Sequence, residues 1–233
     1  MKGRRQRRLG VGIVCLAFAG IAAPVTGADA GSQVRTQQEL KALAAVPGTV
    51  SAPIRDARAA LARAERRLAE HRYRRALTAL STLRWKAGKA HQAAVNQIGK
   101  PPADPESDDP PGPPSVLAVL SLEHRIGVRV PVLFNGMQRT KVVQALRYTL
   151  WITHTRRDQM LDKVIALDPE GAGGDYADGM ADILPAFDNE VNRLQKGLDT
   201  YTLTDSGRVG LTAALERATA TRDVVQEAFG GGE

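Results

Sequence analysis

Residues 101–114 read PPADPESDDPPGPP, with seven prolines and four carboxylates in fourteen positions. Proline lacks a backbone donor and clashes with the preceding helical turn, so this run should form neither a helix nor an interior strand. An extended, polyproline-like path of at most about 43 Å is expected, making the run a disordered acidic linker. Its Pro-x-x-Pro spacings match ligands of aromatic grooves, but a spacer is the simpler reading. The core must then come from residues 31–100 and 115–230.

Both flanking stretches carry apolar residues at helical spacing, and runs of strict alternation are missing. The expected fold class is all-α: an N-terminal basic helical hairpin region joined by the proline-rich linker to an antiparallel four-helix bundle-like region. In the first part, helices are expected over Gln33 to Val46, from Pro53 to about Glu70 with Ser51 as cap, and from Tyr73 to Ile98. In the second, they are expected over about Ser115 to Val130, Thr140 to Leu167, Tyr176 to Leu198 and Asp205 to Phe229. The connections are short enough for antiparallel neighbours. Met180, Ile183, Leu184, Phe187, Val191, Leu194 and Leu198 form one narrow apolar stripe, and Leu211, Leu215, Ala218, Val225 and Phe229 another.

The segment Tyr73-Arg74-Arg75-Ala76-Leu77-Thr78-Ala79-Leu80 resembles the second helix of a tetratricopeptide hairpin. The resemblance covers one repeat. Such repeats stack in threes or more, and no second copy follows at a 34-residue interval, so the expectation is a plain helical hairpin.

The first 30 residues have the layout of a secretory signal peptide. Lys2, Arg4, Arg5, Arg7 and Arg8 precede an uncharged apolar run from Leu9 to Ala23, and Ala28 and Ala30 supply the small residues of a cleavage site. The alternative is a retained membrane anchor, since Leu9 to Ala28 is uncharged and about long enough to span. Either way the remaining chain is expected outside the cytoplasm, secreted or in the cell envelope. Arg7-Arg8 lacks the apolar pair that follows a twin-arginine signal. Cys15, in a poor lipobox, would leave with the leader. The Ala- and Arg-rich helices point to a GC-rich bacterial genome.

Charge divides unevenly. The chain has 32 basic and 25 acidic residues. Residues 31–100 hold 14 basic and 4 acidic side chains, whereas residues 101–233 hold 13 basic and 20 acidic. Two such segments should either dock on each other or meet different partners. The basic region 55–89 fits an anionic cell-envelope component or another protein. No nucleic acid is expected as partner, because the chain is exported and only Tyr73 and Trp85 are available for stacking. A membrane is expected only if the leader is retained. Without Cys15 the chain has no thiolate, which excludes disulfides and cysteine nucleophiles.

One polar constellation stands out. On a helical projection, His154 and Arg157 share the face of Val143, Leu146, Leu150, Leu161 and Val164, with Asp158 at about 80° to its centre. Glu123 and His124 flank the stripe of Val116, Leu117 and Leu120. Opposed helices would bring Glu123, His124, His154, Arg157 and Asp158 together as ligand-binding candidates: imidazoles and carboxylates to exchange protons, a guanidinium to hold an anion. A self-satisfied structural network is the competing reading. Neither pair of segments has the Glu-x-x-His spacing of di-metal bundles, and no metal site or cofactor is expected. Arg222 and Asp188 are expected to pair and fix helix register. Gly171 to Gly179 lacks the lysine of a phosphate loop and the oxygen spacing of a calcium loop. His-Glu-x-x-His and Gly-x-Ser-x-Gly are both missing, so no catalytic residue is assigned.

The functional expectation is a secreted or envelope-associated helical protein, a non-enzymatic binding or structural module. The alternative is a small-ligand or metal-binding helical bundle built on the buried His/Arg/carboxylate cluster.

Overall fold

A computed structural model describes residues 46–100, 112–167 and 174–230. The expected signal segment with Ala28 and Ala30, the helix from Gln33 and the first eleven linker residues lie outside this set, as does most of the Gly171 to Gly174 turn. Among the described residues the protein is all-helical, without strands. The helices are α1 (Gly48–Ala69), α2 (Tyr73–Val95), α3 (Gly112–Arg129), α4 (Thr140–Ile165), α5 (Gly174–Thr200) and α6 (Asp205–Phe229), with one 3₁₀ turn at Pro131–Phe134. None is long and apolar enough to cross a membrane.

Two helix starts differ from expectation. α1 begins at Gly48 behind Pro47, and Ser51 lies buried inside it without capping. α3 begins at Gly112, so the last three residues of the proline run are helical. Pro113 and Pro114 occupy the first turn, where backbone N–H groups have no intrahelical partner and proline's missing donor costs nothing. The exclusion of helix from 101–114 is therefore corrected for 112–114.

α1 and α2 fold back on each other through the turn at Glu70–Arg72, where His71 takes a left-handed φ of 54°. Their contact face is alanine-rich. Ala57, Ala60 and Ala64 on α1, with Ala76, Ala79, Ala87 and Ala90 on α2, are buried with Ile54, Leu61, Leu80 and Leu83. Small side chains allow the close approach, and the leucines fill the remaining space.

This pair shares one apolar core with the helices that follow. α2 packs on α3 and α4, α3 on α5, and α6 on α4 and α5. Arg84 on α2 donates to Thr149 Oγ1 at 3.1 Å, and Arg156 on α4 donates to the Arg84 carbonyl at 2.8 Å. Across α1 and α3, Arg129 grips Glu65 with two bonds of 2.8 Å. Here the base comes from the acidic segment and the acid from the basic one. Docking therefore follows the apolar faces and leaves the excess positive charge of α1 and α2 exposed.

The expected stripes are inside. Val143, Leu146, Leu150, Leu161 and Val164 are buried on α4, Met180, Phe187 and Leu194 on α5, and Leu211, Ala218 and Val225 on α6. Ile183, Leu184, Val191, Leu198, Leu215 and Phe229 pack at the margins of the core.

Candidate functional site

The apolar face of α4 places His154 and Arg157 three residues apart, so both project toward α5, and both are at most 1% exposed. What meets them is Glu190, itself fully buried. His154 Nε2 lies 2.8 Å from Glu190 Oε1, and Arg157 donates to Oε2 at 2.6 Å. His124 Nδ1 on α3 stands 3.7 Å from the same Oε2. The Arg157 guanidinium also sits 5.2 Å from the Phe187 ring centre, a cation–π contact in the core.

Local sequence makes room for the carboxylate. A Cβ at Gly127 on α3 would collide with the Glu190 carboxyl group, so glycine at that position lets the acid enter between helices. Burial by itself would raise Glu190, but the Arg157 guanidinium, followed by the His124 and His154 imidazoles, holds it well below the usual carboxylate range. The ionised carboxylate has only acceptors, so His154 Nε2 carries the proton of this bond. The other ring nitrogen, Nδ1, has no partner within the protein.

A second buried acid lies nearby. Glu123 is 1% exposed, and its nearest base is His91 on α2, with Nδ1 to Oε1 at 3.7 Å. Neither Glu123 oxygen makes a hydrogen bond within the protein. Desolvation is the largest influence and raises Glu123 above the ordinary value, with His91 and Arg157 opposing it.

Of the five residues singled out from sequence, His124, His154 and Arg157 converge on Glu190. Glu123 lies beside them, facing His91. Asp158 points elsewhere: it accepts from Arg217 at 2.9 Å and from Thr221 at 2.8 Å, both on α6. Glu190 and His91 were missed by the sequence reading. Both sit on apolar stripes, Glu190 three residues after Phe187 and four before Leu194, His91 four after Ala87. A polar residue in a core register was the available signal. Arg222 does approach Asp188, at 3.9 Å, but its closer partner is Asp223 at 2.6 Å.

His154 connects this interior to the surface. It lines the floor of a groove of about 450 Å³ between α4 and α6, with Leu150 and Ala214. The walls include Arg147, Tyr148, Trp151, Gly210 and Arg217. Tyr148 and Trp151 are half exposed and stack on each other, with ring centres 5.6 Å apart. Among the described residues, no three His, Cys, Asp or Glu side chains are grouped to hold a metal ion.

No family model, curated protein or solved structure matches this chain.

Proposed function

We propose that this protein is a non-enzymatic binding module that takes a small organic molecule into the α4–α6 groove, the helices α3–α6 acting as a four-helix bundle with the α1–α2 hairpin docked on it. The observation that carries this reading is the groove itself, walled by Arg147 and the stacked, half-exposed Tyr148 and Trp151 and floored by the buried Leu150, His154 and Ala214. The groove has the size and the mixed aromatic and polar lining of small-ligand sites. The Glu190 cluster then serves to hold the His154 imidazole in one orientation.

Native mass spectrometry of the protein purified from its own source, with Trp151→Ala alongside, tests this. Trp151 is half exposed, so the variant should fold. A retained small mass that is lost in the variant supports the reading. A bare chain, together with no shift of the Trp151 indole resonance across a fragment library, overturns it.

A second reading has its own support. Arg55, Arg63, Arg66, Arg74, Arg75 and Lys89 are exposed on α1 and α2, where the exposed acid is Asp56, with Glu70 exposed in the turn between them. Lys86 and Lys89 also lie over the exposed Trp85 ring, at 4.7 and 4.4 Å. With the leader-like N-terminus, this face fits export followed by contact with an anionic envelope component. Co-sedimentation with isolated envelopes, abolished by salt, is the expected result. Failure to sediment at low salt removes the electrostatic contact.

A further inference from the structure

We infer that the outer face of the α1–α2 hairpin seats on the surface of an anionic lipid bilayer, with its unpaired bases on the headgroups and Trp85 within the headgroup layer. This inference rests on the second reading above, that the face meets an anionic envelope component, and it names the partner.

Residues 48–95, the two helices and their turn, carry 11 basic side chains against 3 acidic ones. Each acid is already engaged. Glu65 is held by Arg129 of α3, Asp56 by Lys86 at 2.5 Å, and Glu70 by Arg67 at 2.7 Å and Arg72 at 3.3 Å. Arg55, Arg63, Arg66, Arg74, Arg75 and Lys89 are exposed and pair with no carboxylate among the described residues. Like charges on one surface repel one another, and an anionic partner relieves that repulsion.

Contacts across the hairpin join these charges into one surface. Lys86 on α2 reaches Asp56 on α1, so the outer edges of the two helices meet. Lys86, then Arg55 and Arg63, hold the Asp56 carboxyl below its usual value, which places both arginines in its field. Lys86 also lies over the Trp85 ring at 4.7 Å, and Lys89 over the same ring at 4.4 Å. At 1.5 Å per residue, the unpaired bases run over about 17 Å of α1 and about 22 Å of α2.

A bilayer surface suits this face better than an apolar partner does. Trp85 is the one large apolar side chain exposed on the two helices. A partner helix would find nothing else to bury, and a helix that sinks among acyl chains needs a whole apolar side. Between the bases the exposed residues are short, Ala59 and Ala62 on α1 with Thr78 and Ser81 on α2. Two rows of bases over short residues match a layer of charged headgroups, where each base adds its own attraction. The indole prefers that boundary, since its ring is apolar and its N–H stays wet.

The test is co-sedimentation of the protein purified from its own source with sucrose-loaded vesicles. One set is phosphatidylcholine with about 30 mol% phosphatidylglycerol, the other phosphatidylcholine alone. Sedimentation is expected with the anionic vesicles only, and should be lost at about 0.5 M salt. Arg74→Gln with Arg75→Gln should weaken binding about thirtyfold, the fold-change that two bases contribute near an anionic surface. Both side chains are exposed, so circular dichroism should show the fold kept. Tryptophan emission should move to the blue on anionic vesicles, and the shift should vanish in Trp85→Phe. Equal binding to neutral vesicles, binding that survives salt, or an unchanged affinity in the double variant overturns the proposal. No blue shift, or one that persists in Trp85→Phe, overturns the place given to Trp85. Salt-sensitive binding to isolated envelopes without binding to anionic vesicles overturns the lipid and leaves the second reading, with an anionic polymer or protein as partner. If neither envelopes nor vesicles bind, both fall.

Discussion

Removing the Glu190 carboxylate should be among the most damaging single changes this protein can suffer. Glu190→Ala strands Arg157, which is fully buried, and His154, which is 1% exposed. Breaking a buried pair by deleting one partner costs about 3–5 kcal/mol, because the remaining charge is desolvated and unpaired. Against a total stability of about 5–15 kcal/mol, that is a large fraction. For a chain of this length each kcal/mol moves the midpoint by about 2–4 °C, so Tm should drop by about 6–20 °C. Urea unfolding followed by far-ultraviolet circular dichroism gives the free energy directly, with the slope m expected to stay constant. Glu190→Gln keeps the shape and one acceptor, and should lose less than the alanine variant. Replacing Glu190, His154 and Arg157 together by Met, Leu and Met removes the charges as a set and should come out near neutral. A loss below about 1 kcal/mol in Glu190→Ala would refute the reasoning. It would mean that His154 and Arg157 find other partners, with Glu123 the nearest acid.

Three further outcomes follow from the same geometry. Gly127→Ala drives a methyl group into the Glu190 carboxyl position, so a loss of about 1–3 kcal/mol is expected in urea unfolding, the usual range for overpacking. Glu123 is held above its ordinary value near 4.5. Its contribution is therefore fully present below that pH and is lost as pH rises through the folded-state value, while depressed Glu190 behaves oppositely and loses its contribution as pH falls below about 4.5. Glu123→Gln should accordingly gain stability over the parent on the alkaline side of this window and little on the acid side, measured as urea midpoints from about pH 3 to about pH 8. Arg222→Met breaks only partly exposed contacts with Asp223 and Asp188, and should change stability by less than about 1 kcal/mol in the same unfolding assay.

Helical periodicity was enough to read the all-α fold and much of what lies inside it. The period of the apolar residues marked the faces of α4, α5 and α6, and it put His154 and Arg157 on a buried face. Periodicity reports which side of a helix avoids water, since that depends only on the 100° turn per residue. It does not report which neighbour covers that side, or at what height. That depends on how ridges of one helix seat in grooves of another, which only the folded core decides. So the partner of His154 and Arg157 is Glu190, admitted by Gly127, while Asp158 turns to Arg217 on α6. The same limit applied to His91, whose helix seats on α3 beside Glu123. The proline run marked a break in the chain but left the start of α3 unread, because a first helical turn tolerates proline. The charge imbalance could not say how the two segments meet. They share one apolar core, because burying apolar surface contributes more than pairing exposed charges in water.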